Sequence, residues 1–107
     1  MFVEQPFEVS IDGIVIRGRM DAVFRDESGW HIVDWKTGQL PSRADMRYLM
    51  MQLAVYRIAW AQLQGIDPDE IHASFYYVRY DKLSSADNLP SEREIAETLR
   101  LAAQPIE

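Results

Sequence analysis

Asp34 and Lys36 stand two residues apart in the run Ile32-Val33-Asp34-Trp35-Lys36-Thr37-Gly38. The run reads as a short apolar strand that ends at a turn signal. Residues i and i+2 of a strand point to one face, so Asp34 and Lys36 project together and Trp35 projects to the other side. An acid and a base held side by side at a strand end suit two purposes. They can hold a divalent cation next to a phosphate, or they can simply form an ion pair. The choice depends on what the other elements bring beside them.

Val3 to Ile11 alternates, with Val3, Phe7, Val9 and Ile11 on one parity and Glu4, Glu8 and Ser10 on the other, which predicts a half-buried strand. Asp12-Gly13 predicts a two-residue type I′ turn, and Ile14 to Phe24 the returning strand. In that register Val9 faces Ile16, Glu8 faces Arg17 and Glu4 faces Asp21. Phe7, Val9, Ile11, Ile14, Ile16, Met20 and Ala22 then form an apolar face. Glu4, Glu8, Arg17, Arg19 and Asp21 form a polar one. A tight turn at Glu27-Ser28 joins a third strand, Trp30 to Lys36, and sets Asp21 opposite Asp34 and Arg19 opposite Lys36. Directly opposed residues on neighbouring strands bring their Cβ atoms to about 4.5–5.5 Å. Two hairpin registers thus place Glu4, Asp21, Asp34 and Lys36 in one row.

Ser42 is the expected cap of a helix over Arg43–Gln64, closed by Gly65. Met46, Leu49, Met50, Leu53, Ile58 and Ala61 give it an apolar stripe, and Gln52 and Tyr56 are neighbours at i and i+4. Ile71 to Tyr80 predicts a fourth strand, rich in aromatics, and Asp81 to Pro90 a loop. Ser91 and Glu94 form a capping box for a last helix ending near Ala103. The order is β-β-β-α-β-α, a mixed α/β sheet, with no repeat and no linker to divide it.

Phosphodiester hydrolysis needs an activated water, neutralisation of the charge growing on the phosphate, and help for the leaving oxygen, and Mg²⁺ or Mn²⁺ supplies all three. Mg²⁺ is commonly held by one or two carboxylates together with waters and substrate phosphate. Asp21 and Asp34 on adjacent strands suit that role, and Lys36 beside them suits orienting a water or offsetting transition-state charge.

Gly18-Arg19-Met20-Asp21, the run from Ile32 to Gly38, and Gln52-Leu53-Ala54-Val55-Tyr56 together resemble the PD-(D/E)XK nuclease superfamily, and within it the RecB-type nuclease modules of bacterial helicase–nucleases. The family pattern is a Gly-x-x-Asp strand, an Asp-x-Lys strand with Thr-Gly after it, and a Gln-x-x-x-Tyr helix, in that order. The resemblance implies a restriction-endonuclease-like mixed sheet of about four strands, forming one domain over residues 1–107. It implies Asp21, Asp34 and the main-chain carbonyl of Trp35 as ligands of Mg²⁺ or Mn²⁺, and Lys36 as the catalytic lysine. Gln52 and Tyr56 would position the phosphate backbone or the catalytic groups, and Arg19 would add a phosphate contact. The implied activity is metal-dependent, exonuclease-like cleavage of DNA in recombination or repair, next to helicase domains of a parent protein or complex. The competing reading is an inactive nuclease-like module that binds DNA or protein.

Two departures stand out. The family often continues its first motif as Asp-Arg-x-Asp, where this chain has Asp21-Ala22-Val23-Phe24. Family members also begin with a helix, often carrying a metal ligand, where this chain begins directly with a strand. Glu4, opposite Asp21, is therefore a candidate extra ligand. A missing helix would expose an apolar sheet face, which leads us to expect self-association or docking.

Composition agrees with these expectations. A net charge of −6 is unlike that of a passive nucleic-acid coat but compatible with carboxylates gathered around cations. The absence of cysteine excludes disulfides, a thiolate zinc site and an iron–sulfur cluster within this chain. No apolar run is long enough for a membrane span, and no secretory pattern opens the chain, so the expected location is cytoplasmic. His31 shares parity with Val33 and Trp35, away from the acidic row, and is expected to pack rather than ligate.

Overall fold

Asp12 and Gly13 both take positive φ, 52° and 79°, as a type I′ turn demands. That turn joins β1 (Phe2–Ile11) to β2 (Ile14–Asp26) in an antiparallel ladder running from Ile11↔Ile14 to Phe2↔Val23. Glu27 and Ser28 form the second turn. Asp26 braces it by accepting from the Ser28 amide at 2.8 Å and from the Ser28 hydroxyl at 2.6 Å. β3 (Gly29–Lys36) then pairs with β2 from Asp26↔Gly29 to Ala22↔Val33. Both ladders have the registers expected from the two turn dipeptides. The computed structural model describes residues 1–86 and 88–102.

Helix α1 (Arg43–Gln64) carries the chain across the sheet so that β4 (Ile71–Tyr77) can lie parallel to β3, with Asp34↔Phe75 and Lys36↔Tyr77 as partners. The Ser42 hydroxyl accepts from the Asp45 amide, and Gly65 closes the helix in the left-handed conformation at φ 68°. A short 3-10 turn (Val78–Tyr80) ends β4 earlier than its aromatic run suggests, and the chain then returns as β5 (Lys82–Ser85) against β4. The result is a five-stranded mixed sheet in the order β1-β2-β3-β4-β5. The fifth strand lies in the stretch expected as a loop. Helix α2 (Glu92–Ala102) starts at the Ser91–Glu94 capping box. Ala103, the end expected for that helix, lies outside the described residues.

The core forms where α1 meets the sheet. Leu53, Ile58 and Trp60 of α1 pack with Val9, Ile11, Met20, Val23, Ile32 and Phe75, and each such buried side chain contributes about 1.5–3 kcal/mol. α2 adds Ile95 and Ala96 to this core and is tied to the first hairpin by the Arg100–Asp12 ion pair at 3.3 Å.

The simple division into an apolar and a polar face does not hold along the whole of the first hairpin. Phe7 meets Tyr56 edge-on at 5.2 Å, yet Phe2, of opposite parity, meets Trp60 at 5.6 Å. Both rings touch α1, so the strand turns over between them. Glu4 lies in that interval with φ 51°, and the ladder skips from Val3↔Ala22 to Gln5↔Met20. Burial of the consecutive Ala22 and Val23 in β2 marks the same change of face.

Candidate active site

Trp30 of β3 packs against Trp60 of α1 at 5.1 Å. By strand periodicity Ile32, Asp34 and Lys36 share that face. The acidic row therefore looks toward α1, on the same side of the sheet as the core, and not out from a separate polar face. Trp35 projects to the other side and is 45% exposed. His31 also points away, stacked between Phe24 and His72, as expected for a packing residue.

The β2–β3 ladder stops at Ala22↔Val33. Just beyond it, the Trp35 amide donates to Asp21 Oδ2 at 2.8 Å. A side-chain oxygen thus stands where a strand neighbour would otherwise accept. The N–H and C=O of one strand residue point to the same edge, so the Trp35 carbonyl opens onto the Asp21 side as well. Arg19 is exposed and paired with Pro6 in the first hairpin. The expected Arg19–Lys36 pairing lies past the end of the ladder.

Asp34 is only 6% exposed. Lys36 Nζ lies 2.7 Å from Asp34 Oδ2, although that buried oxygen receives no well-aligned hydrogen bond. The distance makes the pair an ion pair, and the poor alignment leaves the oxygen short of a donor. Burial, and next the Asp21 carboxyl within hydrogen-bonding reach, push Asp34 up to about 6 against the opposing pull of Lys36. Tyr56, on the facing helix, is raised to about 12 by burial and by the charges of Asp34 and Asp21. That dependence sets its hydroxyl within electrostatic reach of both carboxylates. Tyr77, the β4 partner of Lys36, is 2% exposed and also raised, chiefly by burial. Its position beside the lysine was not singled out in the sequence, where the aromatic run of β4 reads as ordinary strand.

Gln52 is half-buried one turn before Tyr56 and lines a cleft of about 430 Å³ with it. The sequence motifs from three elements are therefore gathered on one side of the sheet. Glu4 is exposed and left-handed, its pairing with Asp21 is the one that the ladder skips, and no group of three or more Asp, Glu, His or Cys side chains converges as a metal site among the described residues. The donors at hand are two carboxylates and one main-chain carbonyl. They are hard oxygens of the kind Mg²⁺ takes while keeping waters of its own, and the donor-poor Asp34 oxygen fits a cation. A larger cleft, about 580 Å³, lies at the Glu27-Ser28 end of the sheet and contains none of the motif residues.

Known proteins resemble the chain in sequence and in fold. The sequence pattern of the PD-(D/E)XK nuclease superfamily matches residues 1–106. The Gene 69 protein of Mycobacterium phage D29 is 35% identical over 65 residues, which are 61% of this chain and 22% of that protein. The crystal structure of SSO0001 has a similar fold, with a TM-score of 0.54 and 19% identity, over 98% of this chain and 51% of that one. At that identity the likeness concerns the fold alone. The chain thus spans about a fifth of the phage protein and about half of the crystallised one.

Proposed function

The chain belongs to the PD-(D/E)XK nuclease superfamily, and we propose that it hydrolyses DNA phosphodiesters with Mg²⁺ or Mn²⁺ through Asp21, Asp34 and Lys36. The observation that carries this reading is the buried Asp34 oxygen, set 2.7 Å from the Lys36 ammonium without an aligned donor and next to a second carboxylate. The Asp34–Lys36 ion pair itself gains nothing from that second carboxylate, which raises the cost of the Asp34 charge while its other role is to accept the Trp35 amide. A cation site needs that carboxylate.

In this proposal Asp21, Asp34 and the Trp35 carbonyl hold the ion. When bound, the ion supplies charge neutralisation and water activation. Lys36 offsets the negative charge that develops on the phosphate and orients the attacking water. Gln52 and Tyr56, presented from α1, fix the phosphate against the carboxylates. Arg19, exposed two residues before Asp21 on β2, would contact a neighbouring phosphate. Glu4, exposed at the skipped ladder position, has no part in this scheme.

We further propose an exonuclease-like module acting in recombination or repair, working beside helicase domains. The small share of its relatives that the chain spans supports a module with further parts around it. A second reading, a nuclease-like module that binds without cutting, is favoured by one observation, the lack of a third converging acid among the described residues. Calorimetry with Mn²⁺ and cleavage of labelled single- and double-stranded DNA decide between them, with Asp34→Ala and Lys36→Ala as controls. Cleavage lost in both variants supports the nuclease. Metal binding without cleavage in the unaltered chain supports the second reading, and a folded chain that binds no metal overturns the first.

A further inference from the structure

Tyr48, Gln52 and Tyr56 recur every four residues along α1, so they line one face of the helix. All three border the 430 Å³ cleft, whose far wall is Phe7, Ile16 and Gly18 of the first hairpin. Tyr56, buried against the sheet, is its inner end. Tyr48 is its outer end. Its ring is 71% exposed, and it makes no hydrogen bond or ring contact among the described residues. The cleft thus leads from Tyr56, which feels the charges of both carboxylates, to a free aromatic face, between largely apolar walls.

Resting on the nuclease reading above, we propose that this cleft is a subsite for one unpaired nucleobase next to the scissile phosphate, stacked on the Tyr48 ring. The dimensions favour one nucleoside, because small-molecule sites begin at about 300 Å³. A duplex keeps its base faces stacked inside the helix and offers none to an aromatic platform, whereas single strands are held by such stacking on sugar-phosphate tracks. Gly18 contributes by lacking a side chain. A Cβ there would come to 3.0 Å from the Phe7 ring, so that ring packs directly over the Gly18 backbone. The substrate assigned by this cleft is therefore single-stranded DNA, or the frayed end of a duplex.

The test compares the unaltered chain with Tyr48→Ala and Tyr48→Phe on a single-stranded oligonucleotide and on a closed hairpin duplex. Circular dichroism checks each fold, and Tyr48 is exposed enough for both variants to keep it. KM for the single strand should rise roughly 10-fold in Tyr48→Ala and return in Tyr48→Phe, with kcat nearly constant, the scale of one lost base stack. In a parallel arm, an oligonucleotide carrying 2-aminopurine is bound without divalent metal. Its fluorescence should be quenched by the unaltered chain and by Tyr48→Phe, and not by Tyr48→Ala. Cleavage with a KM and a quench indifferent to Tyr48 overturns the subsite and leaves the nuclease standing. Tyr48-dependent quenching without any cleavage supports the subsite and removes the nuclease. Faster cleavage of the closed duplex than of the single strand also overturns the proposal.

Discussion

The side chain of Asp21 accepts the backbone N–H of Trp35 at 2.8 Å, at the place where β2 and β3 cease to pair. One carboxylate oxygen thus closes the sheet while the other remains for a ligand. Asp21→Ala should therefore damage two properties. Loss of a charged acceptor for a backbone amide costs about 1–2 kcal/mol, measured as a lower denaturant midpoint in the absence of metal. Mn²⁺ binding should be lost as well. Unchanged metal-free stability would show that the bond to Trp35 carries no weight in the sheet.

Lys36→Ala should leave DNA binding within a few-fold and lower kcat by about 10²–10³-fold, the scale on which removal of one transition-state charge partner operates. Single-turnover cleavage under saturating enzyme isolates that step. A fall in affinity with kcat intact would make Lys36 a binding residue only.

Asp34 gives the pH prediction. Its folded value is raised to about 6 from 3.8 in the unfolded chain, so the folded state holds the proton more tightly. Its contribution is favourable below the unfolded value and is lost as pH rises through about 6. Asp34→Asn should therefore melt higher than the unaltered chain above about pH 6.5 in a chelator, and the gap should close below about pH 4. Thermal melts at the two pH values check this, and a variant that melts lower at the higher pH refutes it.

Gly18→Ala forces a methyl to within 3.0 Å of Phe7, whose ring leans on Tyr56. The half-buried Phe7 ring must give by a few tenths of an ångström, so the cost lies near the low end of core overpacking, about 1 kcal/mol or less. Because the displaced ring supports a site residue, KM should rise as well. Urea titration and steady-state kinetics on the same preparation separate the two effects.

Glu4 adopts φ 51°, a conformation that costs a non-glycine residue about 1–2 kcal/mol. Glu4→Gly should stabilise the chain by up to about 1 kcal/mol. Glu4→Gln should leave Mn²⁺ affinity unchanged, and a clear loss in calorimetry would restore Glu4 as a ligand.

Much of the fold was legible because turn chemistry is local. Asp12-Gly13 and Glu27-Ser28 set both registers, while Ser42, Gly65 and Ser91 with Glu94 marked helix ends through backbone groups that each cap satisfies. Two features had no such local signal. β5 is four residues without alternation, and only its pairing with the β4 backbone makes it a strand. The turnover of β1 at Glu4 is a left-handed residue that is neither glycine nor asparagine, so the alternation in the sequence continued as though the strand were flat. That is why Asp21 was expected on a polar face with Arg17 and Glu8, when it looks toward α1. The motif spacing of Asp21, Asp34, Lys36, Gln52 and Tyr56 was visible from the start. Their convergence on one side of the sheet depends on the twist of the hairpin, which spacing does not encode.

β1 is the outermost strand, and its free edge runs ten residues. Long bare edges invite other chains to add a strand. Here the left-handed Glu4 bends the edge, Pro6 has no amide hydrogen to offer, and Glu8 adds charge. An incoming strand would lose register at the first of these and a hydrogen bond at the second. The kink that turns the acidic row toward the helix thus also guards the β1 edge against an added strand.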